Sequence, residues 1–515
     1  MDQELSHQEL SHQELSRQEL WQWNASALAE AVAGGEVSAL EVTEAHLARI
    51  AAANPEVNAV TNVLADGARA AARDTDRRRA AGEPLGPLAG VPFTVKENIH
   101  VAGSATTFGV PRFRGLVPAE DAPPVRRLRR AGAIPVGRTN LPDMTIAGMH
   151  TVSTLYGATR NPWDPARTPG GTSGGDGVAV ATGMAPLGLG NDSGGSICVP
   201  AAFNGVAALK PSYGRFALDH RIGPQDPTLS SQLFPVDAPL ARSVADLRLV
   251  YEVLAGADPQ DPRAVPVPLD GPPPAPGRPV RVGVVTDPGG DGVHPHVRAG
   301  VEAAAAALED AGYAVEEAEV PRLGEAVDAY HGLIFTEFAL MWSAVRDLLT
   351  EESRRHVEYT LQEHPPVDLA EYLRLTGVRL SVQRDWARLF ERFPLVLGPV
   401  STEPAPFPDT MHGTAEDNAR TMAALRLCRA NTFVGTPSVT VPVGVADGLP
   451  QGVQIIGGMY REDLCLRAAA AIERRRGRFT PVTPVTPVTP VTPVTPVTPI
   501  TPAASTAPAA PVTPP

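Results

Sequence analysis

Three features of this 515-residue sequence predict an α/β fold. Apolar strand-like runs alternate with helical patterns, and that alternation favours a sheet built from strand–helix units. The length allows up to three domains, yet a single α/β unit can be this large and has ample chain for a core. No uninterrupted apolar span reaches transmembrane length, and no basic-then-apolar leader opens the chain. A soluble protein without a membrane partner is expected.

In order along the chain, residues 1–20 are four five-residue units ending in Gln-Glu-Leu, two of them Ser-His-Gln-Glu-Leu. Histidines five apart do not stack on one helical face, so a polar, disordered extension is expected rather than a metal site. The fold is expected over residues 21–479. Ala25–Ala33 and Ala39–Ala52 read as helices split by Gly34-Gly35. Ser38 with Glu41 makes a capping box, and Leu40, Leu47 and Ile50 share a face. Val91–Val95 and Ile134–Gly137 read as strands, with Pro124–Ala131 a helix between them. Asn161–Thr168, with prolines nearby, is a rigid lead into a glycine-rich centre.

Further on, Asp258–Pro279 is rich in proline and aspartate and reads as a linker or surface excursion. Val280–Val285 and Tyr313–Val320 then read as strands around a His296–Ala311 helix. Residues 323–392 look mostly helical, and Trp342, Tyr359, Tyr372 and Trp386 are available either to line a pocket or to fill core. Leu395–Leu397, Val439–Val443 and Gln451–Ile456 complete the strands before an Asp463–Arg474 helix. The Thr-Pro-Val repeats of residues 480–515 form an extended, solvated, disordered tail with no core of their own.

Charge and cysteines narrow the function. A net charge of −13 argues against a nucleic-acid surface. Three scattered cysteines, Cys198, Cys428 and Cys465, lack metal spacing and fit free thiols in the cytoplasm. No His-Glu-x-x-His, Cys-x-x-Cys or phosphate-binding Gly-Lys-Ser/Thr loop is present, so neither a metal nor another cofactor is expected.

The chemistry concentrates between Gly170 and Pro200. Thr172-Ser173 and Ser196 each sit beside paired glycines, separated by a small-residue helix (Asp176–Thr182) and an apolar run (Leu187–Leu189). Glycine pairs bring backbone close to a ligand, and successive N–H groups can hold an anion. A serine there has oxyanion donors ready in the main chain, as acyl transfer requires. Lys96 closes an apolar strand-like run and is one of only two lysines among 44 basic residues. Arginine stays protonated, whereas a desolvated lysine can become a neutral base. A buried ion pair or a snorkelling amine are the structural readings of Lys96. Gly171–Gly175 also fits Gly-x-Ser-x-Gly, but no strand precedes it as a nucleophile elbow demands.

The blocks Gly90–Asn98, Arg160–Gly175 and Gly188–Arg215 together resemble the amidase signature family, across roughly Ala25 to Arg474. The resemblance implies a single large α/β domain, a mixed twisted β-sheet covered by α-helices. It also implies hydrolysis of amide C–N bonds by a Ser–Ser–Lys triad whose middle serine follows a cis peptide bond. Matched residue by residue, Ser196 is the nucleophile, Lys96 the base, Thr172 the relay and Ser173 the second serine of the pair. Ser193, Gly194 and Gly195 would supply the oxyanion hole. Two departures stand out: threonine at the relay, and Cys198 where the family usually has an arginine expected to brace the loop through Asp192. Lys210, in another matching block, reads as a structural tie.

The implied activity is hydrolysis of a small carboxylic amide to a carboxylate and ammonia or an amine, through an acyl-Ser196 intermediate. Alternatives are the ammonia-supplying subunit of a glutamyl-tRNA amidotransferase, a hydrolase of urea-derived (allophanate-type) amides, or an inactive amidase-like scaffold. The partner expected is the small-molecule amide alone, and a homodimer is allowed.

Overall fold

The computed structural model describes residues 20–146, 149–222, 226–273 and 277–479. The pentapeptide repeats before Leu20 and the Thr-Pro-Val tail from residue 480 lie outside the described residues. The strands in chain order are β1 (Val60–Val63), β2 (Pro92–Lys96), β3 (Ile134–Thr139), β4 (Val152–Ser153), β5 (Gly157–Ala158), β6 (Leu187–Asp192) and β7 (Ala207–Lys210). They continue with β8 (Val236–Ala241), β9 (Arg281–Val284), β10 (Ala314–Glu317), β11 (Leu395–Pro399), β12 (Ser438–Ala446) and β13 (Leu449–Gly457). Eleven of them form one sheet in the order β1-β3-β2-β6-β8-β7-β12-β13-β11-β9-β10, while β4 and β5 make a separate ribbon. β2 runs parallel to both β3 and β6, and β9 parallel to β10 and β11. The pairs from β6 through β8, β7, β12 and β13 to β11 are antiparallel. The sheet is therefore mixed, and with its covering helices it is the α/β architecture expected.

The buried character of these strands follows from their composition. β2, β3, β6 and β8 are buried at every residue, as strands covered on both faces must be. The main apolar cluster joins Phe93 and Val95 of β2, Leu187 and Leu189 of β6, and Val439 and Val441 of β12 to helices Ala39–Val57, Val244–Leu254 and Glu462–Arg476. Each such side chain stabilises the fold by about 1.5–3 kcal/mol on burial. The Ala39–Val57 helix starts on its capping box, with Ser38 Oγ accepting from Glu41 N and Glu41 Oε2 accepting from Ser38 N.

Among the aromatic residues of 323–392, Trp386 is core at 1% exposure. The large cavity described below is instead lined by Tyr330, Phe335 and Phe338 from the Leu323–Val345 helix, and by none of Trp342, Tyr359, Tyr372 and Trp386.

What positions the site is the β2–β6 pair. Phe93, Thr94 and Val95 align with Leu187, Gly188 and Leu189. β2 then ends at Lys96, level with Gly190, and β6 runs on to Asp192. Ligand sites in sheets of this kind form outside the carboxyl ends of parallel strands.

Candidate active site

Lys96 is fully buried at the end of β2. Its Nζ lies 2.6 Å from Thr172 Oγ1, 2.9 Å from Ser173 Oγ and 2.7 Å from Asn191 Oδ1. Thr172 and Ser173 come from the turn leading into the Gly174–Ala181 helix, and the Gly171–Thr172 peptide bond is cis. The approach of that turn to β6 needs a glycine at position 190, where a β-carbon would stand 2.7 Å from Ser173 Oγ.

Hydrogens at this cluster can be assigned by elimination. Ser173 Oγ donates its single hydrogen to Asn191 O at 3.1 Å. Toward Lys96 it therefore accepts, and Asn191 Oδ1 can only accept. A neutral amine has two hydrogens and one lone pair. With its hydrogens on Asn191 and Ser173, a neutral Lys96 would turn its lone pair toward the Thr172 hydroxyl.

Electrostatics favours that neutral form. Burial drives the Lys96 amine down to about 7, against the raising fields of Asp176, Asp192 and Asp237. Asp176 is equally buried, and desolvation pushes its carboxyl upward. Its Oδ1 accepts from Thr139 Oγ1 at 2.8 Å and Thr94 Oγ1 at 3.2 Å, while Oδ2 has no partner among the described residues. Asn191 and Asp176 are the members that sequence reasoning did not single out. Asp176 was legible only as a helix residue, although a lone carboxylate among glycines and alanines was a usable signal.

Ser196 sits on the turn after β6, and Gly194 and Gly195 there have φ of +148° and +117°, open to glycine and strained for other residues. Asp192 clamps this turn: its Oδ1 accepts from Gly194 N (3.0 Å) and Gly195 N (2.8 Å), and its Oδ2 from Ile197 N (2.8 Å) and Cys198 N (3.4 Å). The bracing that an arginine at position 198 was expected to provide is thus done by main-chain donors. Cys198 itself is buried with its Sγ 3.8 Å from Ser438 Oγ. Lys210, also buried, donates to Thr436 O at 2.9 Å and joins β7 to the start of β12.

Of the three residues expected to form an oxyanion hole, Gly194 and Gly195 therefore direct their N–H groups at Asp192. The N–H groups of Ser193 and Ser196 have no partner among the described residues. Ser196 O accepts from Ser173 N at 3.0 Å, so the two hydroxyl-bearing turns are stitched together. Among the described residues no side-chain hydrogen bond joins Ser196 to Thr172.

Thr172, Asn191, Ser193 and Ser196 open onto a cavity of about 560 Å³. Its walls are largely apolar, with Phe108, Met144, Ile334, Phe335 and Phe338 among the lining residues. Leu323–Val345 supplies one wall through residues at helical spacing (330, 334, 338, 341, 345). His220 also lines the cavity and bonds Asp237 Oδ1 at 2.7 Å, an arrangement that the sequence did not announce. Among the described residues no group of three or more His, Cys, Asp or Glu side chains is placed to hold a metal ion, and no helix is long and apolar enough to cross a membrane.

A buried lysine, two hydroxyls bonded to it and a glycine-held serine face one cavity, the arrangement expected of a serine–lysine hydrolase. A family model described as Amidase matches residues 41–466. The chain is 41% identical to an indoleacetamide hydrolase of Bradyrhizobium diazoefficiens, over 89% of this chain and 87% of that one. It is 36% identical to a glutamyl-tRNA(Gln) amidotransferase subunit of Salinispora tropica, over 90% of this chain and 99% of that one. Among solved structures, 6-aminohexanoate cyclic dimer hydrolase in complex with its substrate superposes with a TM-score of 0.76 at 30% identity, covering 90% and 99% of the two chains. This chain belongs to the amidase signature family, and it is an amidase, a hydrolase of carbon–nitrogen bonds.

Proposed function

We propose that the enzyme cleaves a carboxylic amide with an apolar acyl body, through an acyl-Ser196 intermediate. The observation that carries this reading is the 2.6 Å contact between the buried Lys96 Nζ and the Thr172 hydroxyl, across which a neutral amine would accept a proton. Thr172 passes its proton to Lys96 while accepting the proton of Ser196, whose oxygen then attacks the amide carbonyl. The Ser196 and Thr172 hydroxyls must close up for this, and catalytic hydrogen bonds commonly tighten only once substrate is bound. The N–H groups of Ser193 and Ser196 are free to receive the oxyanion, with Gly194 and Gly195 able to share donors now bonded to Asp192. Each such donor contributes about 2.7–4 kcal/mol to the transition state in a comparable site. The proton then returns through Thr172 to the leaving nitrogen, and water releases the carboxylate.

The apolar lining and the identity to an indoleacetamide hydrolase both support an acyl group with a hydrophobic body. Three buried free thiols support a reducing compartment such as the cytoplasm. The 36% identity to an amidotransferase subunit over almost its whole length favours a second reading, release of ammonia from glutamine for transfer. A fluorophosphonate should label Ser196, as read by peptide mass, and the purified enzyme should release ammonia from aryl and alkyl acetamides. Labelling elsewhere, or turnover confined to glutamine, would reject the first reading.

A further inference from the structure

We propose that Arg429 binds a carboxylate at the far end of the acyl group, so that the enzyme acts on amides whose acyl chain is itself an acid. The inference rests on reading the cavity at Ser196 as the substrate site. Arg429 belongs to the Arg426–Val434 helix and lines that cavity while only 5% exposed. Its Cγ comes within 3.7 Å of the point where a β-carbon on Gly194 would sit, so the side chain leaves from beside the nucleophile turn.

The guanidinium is poorly partnered for so buried a charge. It donates to Met422 O, and its other terminal nitrogen reaches Met422 Sδ at 2.7 Å. A thioether is a weak acceptor. Among the described residues no carboxylate forms an ion pair with it. Glu363 is near enough for its field to be felt but is exposed and lies beyond pairing distance.

Two of the other buried arginines, Arg138 and Arg215, are more fully partnered, whereas Arg242, which donates to Trp23 O, likewise has no ion pair among the described residues. Arg138 donates to the carbonyls of Val95, Lys96, Ile99 and Ala105. Arg215 has Glu462 at 3.7 Å and the carbonyls of Val267 and Pro268. Around Arg429 the ionisable neighbours are the Tyr330 hydroxyl and the Cys428 thiol, both raising groups besides Glu363, together with His331, His356 and His364. Burial first, with the guanidinium adding to it, holds these histidines below their ordinary range, so they offer no negative charge.

A buried, unpaired cation is costly, and a planar fork of N–H donors matches a carboxylate in two-point contact. Ile334, Phe335 and Phe338 would cover the methylene spacer between that carboxylate and the amide.

The test compares adipamate and glutaramate with their methyl esters, which keep the length and remove the charge. Steady-state kinetics and calorimetric binding are measured on the wild-type enzyme, R429M and R429K. The wild type should favour the acid over its ester by at least about tenfold, the value of one good charged hydrogen bond. R429M should bring that ratio close to one through KM, and R429K should fall between. A wild-type ratio near one, or a ratio unchanged in R429M, overturns the proposal. Should R429M fail to fold, the wild-type ratio and its drop in R429K decide. Binding does not depend on the nucleophile. An Arg429-dependent preference alongside an active Ser196→Ala enzyme would therefore reject the Ser196 reading and leave this one standing.

Discussion

Thr172 is the hydroxyl at Lys96 with a hydrogen to spare: its Oγ1 is 2.6 Å from Nζ, whereas Ser173 spends its hydrogen on Asn191 O. That difference ranks the two variants. Thr172→Ala should lower kcat by roughly 10²–10⁴, the range for losing a proton-transfer group. Ser173→Ala should cost less activity and should instead lower stability by about 1–3 kcal/mol, since it leaves the buried amine short of an acceptor. Thr172→Ser keeps the hydroxyl and should retain most of the rate. Single-turnover rates and denaturant midpoints on the three variants check the order, and a reversed order would move the relay to Ser173.

Lys96 sets the pH dependence. Its amine is lowered to about 7 by burial, and the base form is the neutral one. As pH rises through about 7 the neutral fraction grows, so kcat should climb and then level off; below it the rate should fall about tenfold per pH unit. Lys96→Arg keeps the charge but supplies no neutral base near pH 7. It should be nearly as inactive as Lys96→Ala. More than about a tenth of wild-type rate, a barrier change under about 1.4 kcal/mol, would make Lys96 a structural cation.

How far the sequence reached follows from where each residue's partners lie. Lys96, Thr172 and Ser196 were singled out because each sits in a dense local pattern, and counting back from Ser196 pointed to Thr172, the residue that follows the cis bond. Asn191 and Asp176 were not, because what matters about them is tertiary: Asn191 meets Lys96 across 95 residues of sequence. Strand Val236–Ala241 was missed for a local reason. Asp237 and Pro239 lower its strand propensity, and proline usually marks an edge strand, yet β8 lies between β6 and β7 in the sheet interior. The cavity wall from Tyr330 to Val345 had a readable helical period. Its apolar face is built largely from phenylalanine, isoleucine, methionine and valine, residues that in a sequence look the same in a core as in a pocket.

Asp192 predicts a second kind of loss. Each of its carboxylate oxygens takes two main-chain N–H groups of the nucleophile turn. Asp192→Asn keeps the size, but in either orientation its NH₂ confronts two N–H donors. The turn should loosen, lowering kcat by about 10²–10³ if its N–H groups serve the oxyanion. Stability should fall by about 1.5–3 kcal/mol, as for one hydrogen bond to a charged group. A variant with unchanged kcat would show that the turn holds its shape without this clamp.

Acid should destabilise the fold through its buried histidines. His46 and His150 are both lowered to about 3, in each case first by desolvation, and His356 is held well below its ordinary range for the same reason. The unfolded chain protonates these rings near 6.5 while the folded chain does not, so the unfolded state binds more protons between about 3 and 6.5. Stability is therefore complete above about 6.5 and is lost as pH falls through that window. Each such ring contributes up to about 1.4 kcal/mol per pH unit there. His150 isolates the effect, because neither of its ring nitrogens has a partner among the described residues and its ring packs edge-on against His412 at 5.7 Å. His150→Leu removes one titrating group without breaking a hydrogen bond, so near pH 7 the folding free energy should change little. Between about pH 6 and 4.5 its slope against pH should be shallower than wild type by about 1.4 kcal/mol per unit. Urea midpoints across that range read the difference directly, and parallel slopes for the two proteins would mean that His150 is already protonated in the folded state.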